Sequence, residues 1–123
     1  MSVKPVGTKA GKHAMPRLLN QFDLKPGTDM HSFERAWGAF VDQLLQTDLA
    51  TSGAPLCQRV PASGYDTDEE RGHALMALIE FRDQAQADAA WDAVEKGIEP
   101  LGKLHRKVIS MVHDPVFTFW SER

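Results

Sequence analysis

The segment His73–Val94, HALMALIEFRDQAQADAAWDAV, limits the possible folds more than any other part of the chain. Leu75, Ala77, Ile79 and Phe81 alternate with Ala74, Met76, Leu78 and Glu80, so a strand here presents apolar side chains on both faces, and both must be covered. Asp83 then stands where a carboxylate can cap a helix, with Gln86 three residues on as the reciprocal capping-box partner. Ala87, Ala90, Trp91, Val94 and Ile98 follow at helical spacing, a stripe that can lie back on the strand just left.

The rest of the chain supplies partners for this unit. Arg17–Leu24, RLLNQFDL, is a first strand with Leu18, Asn20, Phe22 and Leu24 on one face, stopped by Lys25-Pro26-Gly27. Thr28 or Asp29 caps a helix running to about Gln46, with Phe33, Trp37, Phe40, Val41, Leu44 and Leu45 in one stripe and Glu34, Arg35, Asp42 and Gln43 on the solvated side. Thr47–Pro55 is a polar connection, Leu56–Val60 a short second strand, and Ala62–Gly72 an exposed hairpin loop of turn formers and acids. Gly97, Pro100 and Gly102 interrupt the helix that starts near Asp83. Leu101, Leu104, Val108 and Ile109 predict that helix resumes after Pro100, until His113-Asp114-Pro115 ends it. Val116–Trp120, VFTFW, is a last strand, again apolar on both sides.

A chain of 123 residues with 42% hydrophobic and 25% charged content suits one soluble domain, placed at residues 15–123. Residues 1–14 lack the apolar core of a secretory signal and read as a flexible extension, so a cytoplasmic location is expected. Three of the basic residues, Lys4, Lys9 and Lys12, fall in that extension, which leaves the body acidic and argues against a nucleic-acid partner. No apolar run approaches the roughly 18 to 20 residues of a membrane span. Cys57 is the only cysteine and reads as a small buried residue in a strand. The five histidines show no metal-ligand spacing, so no metal site is expected.

The order strand, helix, strand, strand, helix, strand defines an α+β, ferredoxin-like βαββαβ fold: a four-stranded antiparallel sheet with its helices on one face. The helices leave the other face open, although the third and last strands carry large apolar groups on both. Removing about 600 Å² of that face from water gives roughly 15 kcal/mol before association costs. A homodimer, sheet to sheet, is the expected solution, and whichever of Met76 and Phe119 faces the partner should not tolerate aspartate.

This combination resembles the dimeric α+β barrel superfamily, which includes antibiotic-biosynthesis-type and haem-degrading monooxygenases, EthD-like proteins and stress-responsive barrel proteins. The opening NQFDLKPG, the FRD at the end of the third strand and the closing VFTFW look like small bacterial members of that group. The resemblance covers Met15 to Arg123 and implies a pocket between helices and sheet that holds a flat apolar molecule.

No Gly-rich phosphate loop, HExxH, CxxC or GxSxG motif is present. Asn20 is the most informative polar residue, because it shares a strand face with Leu18, Phe22 and Leu24, where an unsatisfied amide is costly. It either bonds backbone or faces a ligand. His105 borders the apolar stripe of the resumed helix and is the proton-transfer candidate, with a solvated or capping role as the alternative. Phe22, Trp37, Phe40 and Trp91 are expected between helices and sheet, as pocket walls or as solid core. Arg59 and Glu80, on neighbouring strands, form either a cross-strand pair or the pocket's polar groups.

Two functions of different class follow from the resemblance. The first is a cofactor-independent oxygenase or isomerase, with His105 moving a proton and Asn20 orienting the substrate or an oxyanion. The second is a non-catalytic ligand-binding or stress-associated dimer. A helix–sheet space filled by Trp37, Phe40 and Trp91 favours the second, and an open pocket reached by Asn20 and His105 favours the first. Haem-degrading members of the superfamily use an Asn, a Trp and a His in the chain order of Asn20, Trp91 and His105. No cofactor is expected here, haem included, because Phe22, Trp37, Phe40 and Trp91 would occupy its space.

Overall fold

The computed structural model describes residues 15–53 and 55–123, so the expected N-terminal extension lies outside the described residues. Along the chain come β1 (Arg17–Leu24), α1 (Met30–Gln46), β2 (Ser52–Gly53), β3 (Cys57–Gln58), β4 (Leu75–Glu80), α2 (Gln84–Lys96), α3 (Leu101–Met111) and β5 (Val112–Trp120). The sheet runs β2-β4-β1-β5, with β3 also paired to β4, and every pairing is antiparallel. This is the expected α+β, ferredoxin-like arrangement, with five strands instead of four.

The starts of α1 and α2 are fixed by the carboxylates the sequence offers. Asp29 accepts from the Ser32 N–H at 2.9 Å and Asp83 from the Gln86 N–H at 2.9 Å. Gln86 does not complete a reciprocal box. Its Oε1 accepts instead from the Arg82 N–H at 2.7 Å and the Thr51 hydroxyl at 3.2 Å, while Nε2 donates to the Asp48 carbonyl at 3.0 Å. That buried amide ties the connection after α1 to the first turn of α2.

Three local expectations are corrected. The second strand does not span Leu56–Val60. The outer edge of β4 is covered by two short pieces, β2 and β3, because Pro55 between them has no N–H to give the ladder. Cys57 is accordingly exposed on that edge. The last strand does not wait for Val116. It starts at Val112 and passes through His113-Asp114-Pro115, with Asp114 at φ 54° and a register shift opposite Gln21 and Asp23. A bulge on an edge strand tolerates Pro115, whose missing N–H no neighbour requires. Buried His73 supports the bulge, its Nε2 lying 2.9 Å from the Asp114 carbonyl.

The pairing register divides the sheet into two faces. Leu18, Asn20 and Phe22 share one face with Ala77, Ile79, Phe117 and Phe119, and this face lies under the helices. Leu19, Gln21, Met76, Leu78, Val116, Thr118 and Trp120 alternate with them and face away. The core is built on the helix side, where Phe33 is fully enclosed and its ring meets Phe22 at a centroid distance of 5.4 Å.

Candidate functional site

The space between helices and sheet is not filled. It holds a cavity of about 450 Å³, open at one side. Its floor is the sheet: Leu18, Asn20 and Phe22 of β1, Ile79 of β4, Phe81 just beyond it, and Pro115, Phe117 and Phe119 of β5. One wall is α1, through Phe33, Trp37, Phe40 and Leu44, spaced four, three and four residues apart.

The other walls explain why the volume exists. α2 turns Ala87 and Ala90 inward, side chains too short to reach the sheet, and places Gln84, Asp88 and Trp91 along the same side. Trp91 is not core. It is 67% exposed and stands at the mouth, beside the hydrogen bond from Gln84 Nε2 to Asp88 Oδ1 at 2.9 Å. Trp37 and Phe40 are buried as expected, with their rings 5.9 Å apart, but without Trp91 they do not close the space.

His105 reaches the cavity because α3 begins immediately after a tight elbow. Gly97 ends α2 in the left-handed conformation, and a Cβ on Gly102 would meet the Gly97 carbonyl oxygen at 2.6 Å, so both positions require glycine. From there His105, Val108, Ile109 and Val112 form one line facing the cavity. His105 is half-buried, its ring 5.5 Å from that of Phe40. Burial, and secondarily the charge of Arg106, push its pKa below the ordinary 6.5, so the imidazole is neutral at pH 7. Among the described residues neither ring nitrogen has a hydrogen-bond partner.

Asn20 is 6% exposed, in the middle of the floor. Both of its side-chain bonds are made by Nδ2, which donates to the Leu18 carbonyl at 3.3 Å and the Ala77 carbonyl at 3.2 Å. Its N–H groups are thus committed to backbone, and an oxyanion would find no donor there.

Arg59 and Glu80 lie outside this cavity and do not pair. Arg59 grips the loop before β4, donating to Asp66 Oδ2 at 2.6 Å, Asp66 Oδ1 at 2.7 Å and the carbonyls of Asp68 and Arg71. Glu80 accepts from Ser52 at 2.6 Å and Arg17 at 2.8 Å, and these bonds hold its carboxyl below the ordinary range. Sequence reasoning misses the contributions of Gln84, Asp88, Phe117 and Phe119. The only sequence signal for the first two is their spacing with Trp91 on one side of α2.

Asn20, Trp91 and His105 all line the cavity, and the expectation that aromatics would exclude haem by filling it is corrected. The lining nevertheless fits haem poorly, since it has no Lys or Arg to receive the carboxylates of a porphyrin, and its one carboxylate is Asp88. Among the described residues no group of three or more His, Cys, Asp or Glu is placed to hold a metal ion, and no helix is long and apolar enough to cross a membrane.

The architecture is the ferredoxin-like fold, shared with solved structures of low sequence identity. A protein of Arabidopsis thaliana superposes with a TM-score of 0.69 at 6% identity, over 88% of this chain and 95% of the other. SnoaB, a cofactor-independent oxygenase of Streptomyces nogalater, in a point-mutant form, gives 0.62 at 8% identity over 88% and 92%. A dimeric ferredoxin-like protein of unknown function from Thermobifida fusca gives 0.61 at 9% identity over 90% and 93%. No curated protein sequence matches the chain. The chain belongs to the family of unknown function DUF6614, which it matches over residues 15–122.

Proposed function

We propose that the cavity binds a flat, largely apolar small molecule and that His105 removes a proton from it, the first step of a cofactor-independent oxygenase or isomerase reaction. The observation that carries this reading is a neutral, half-buried imidazole without a hydrogen-bond partner among the described residues, lining an aromatic cavity together with Asn20. A base in such surroundings keeps its proton-accepting form at neutral pH, and the low polarity around it strengthens its interaction with charge developing on the ligand. The likeness of fold to SnoaB supports the same class.

The test is turnover. Flat phenolic and polyketide-like compounds are incubated with the protein, and oxygen uptake or exchange of ligand C–H for deuterium is followed. Activity that disappears in His105→Ala while binding persists is the expected result. Binding without turnover or exchange would instead support a non-catalytic ligand-binding protein, a reading favoured by the commitment of both Asn20 N–H groups to backbone.

We also propose that the chain forms a homodimer through the face of the sheet that the helices leave open. Leu19, Met76 and Leu78 form its centre, with Val116 and Trp120 exposed beside them. The dimeric neighbour from Thermobifida fusca supports this arrangement.

A further inference from the structure

We infer that the ligand is uncharged and carries a hydrogen-bond donor, a hydroxyl or N–H, which it presents to Asn20 Oδ1; this rests on the reading of the cavity as a ligand site. The orientation of the amide is not arbitrary. Both groups beside its donor end, the carbonyls of Leu18 and Ala77, can only accept, so the nitrogen must face them and the oxygen must point the other way. Oδ1 accepts no hydrogen bond from a described residue, yet it is not an enclosed polar atom without a partner, of which His73 Nδ1 is the one example among the described residues. It therefore opens onto the space that Asn20 lines, the cavity.

A carbonyl or ether oxygen placed against Oδ1 sets two acceptors against each other, whereas a hydroxyl satisfies it. Charge selection comes from the rest of the lining. The cavity walls are apolar, no Lys or Arg lines them, and Asp88 at the mouth carries the opposite of what a carboxylate or phosphate needs. Asn20 is on this view a specificity-determining residue, and the ligand class is the neutral phenol or aromatic alcohol, not a quinone, an aryl carboxylate or a phosphorylated compound.

Three probes of one ring size separate these terms: 2-naphthol, 2-methoxynaphthalene and 2-naphthoate, titrated into the full chain at pH 7 by calorimetry. We expect 2-naphthol to bind at least about tenfold more tightly than either of the others. The preference over the methoxy compound should persist in His105→Phe and in a Gln84→Ala/Asp88→Ala double variant, which remove the other side-chain acceptors of the lining, and vanish in Asn20→Leu. Should Asn20→Leu fail to fold, the native and His105→Phe preferences still decide. Equal binding of naphthol and its methyl ether, or a preference lost in His105→Phe or in the double variant, overturns the donor requirement while the ligand site stands. Naphthoate binding as tightly as naphthol overturns the selection against charge. If none of the three binds, the ligand site itself is wrong, and the inference falls with it.

Discussion

The two faces of the sheet are both apolar and both incomplete, but in different ways. The face under the helices is covered and hollow: Asn20, Phe22, Ile79, Phe117 and Phe119 look into a cavity that α1 and α3 wall with large side chains and α2 borders with alanines. The opposite face has no helix over it and is continuous, with Leu19, Met76 and Leu78 side by side across β1 and β4 and the loop before β4 along its border. Apolar surface around an enclosed space suits a small molecule, and apolar surface on a broad sheet suits another protein. The alternation of β1, β4 and β5 builds both from the same stretches of chain, one residue in and one residue out.

The sharpest way to break this pairing of roles is a charge on the open face. Met76→Asp should convert the protein from dimer to monomer at micromolar concentration, or abolish folding, because the carboxylate would be buried against its own copy in the partner. Phe119→Asp, which falls on the cavity side next to Phe81, should leave association intact. Sedimentation of both variants separates the faces, and a native protein that sediments as a stable monomer would defeat the assignment of the open face.

Next in size is the loss of the side chain that anchors the covered face. Phe33 has no exposure, and Phe33→Ala should cost about 3–5 kcal/mol in denaturant unfolding. The same kind of truncation at the mouth, Trp91→Ala, should cost much less, because that ring is mostly in water already. Comparable losses at the two sites would mean that Trp91 belongs to the core after all.

Filling the hollow should change binding more than stability. Ala90→Phe places a ring where α2 stands back from the sheet, and it should weaken 2-naphthol binding by about tenfold or more with the fold retained. An unchanged affinity in a folded Ala90→Phe variant would place the ligand elsewhere.

Much of this division is legible in the sequence, because it rests on local rules. The strand at Arg17–Leu24, the caps at Asp29 and Asp83 and the restart of helix after Pro100 each depend on a few neighbouring residues. What escapes depends on partners distant in sequence. β5 continues through His113-Asp114-Pro115 because it lies at an edge and His73, forty-one residues earlier, reaches the Asp114 carbonyl. Arg59 is held by Asp66 and the loop carbonyls instead of Glu80, since the outer strand is broken and its second piece pairs with Leu75 and Met76, far from the Glu80 end of β4. Trp91 fits the apolar stripe of α2 in one dimension. The cavity emerges only when Ala87 and Ala90, and not Trp91, are seen to face the sheet. Periodicity marks a face as apolar, but whether that face is full or hollow depends on side-chain lengths across three elements.

The smallest expected effect concerns the histidine that lines the hollow. His105 loses water on entering the cavity and feels the charge of Arg106, and both disfavour its protonated form, so its NMR titration midpoint should fall below 6.5. The sign for stability follows directly. The unfolded chain takes up this proton more readily than the folded one, so the stability associated with His105 is whole above about pH 6.5 and is lost as pH falls through the folded midpoint. In His105→Phe that part of the acid dependence should disappear, leaving the fall at lower pH due to carboxylates such as Glu80, whose depressed pKa acts in the same direction below the ordinary 4.5. A His105 midpoint at or above 6.5 would show that the ring is hydrated or paired with an acid. Either outcome would contradict its placement as an unpaired ring against the apolar lining.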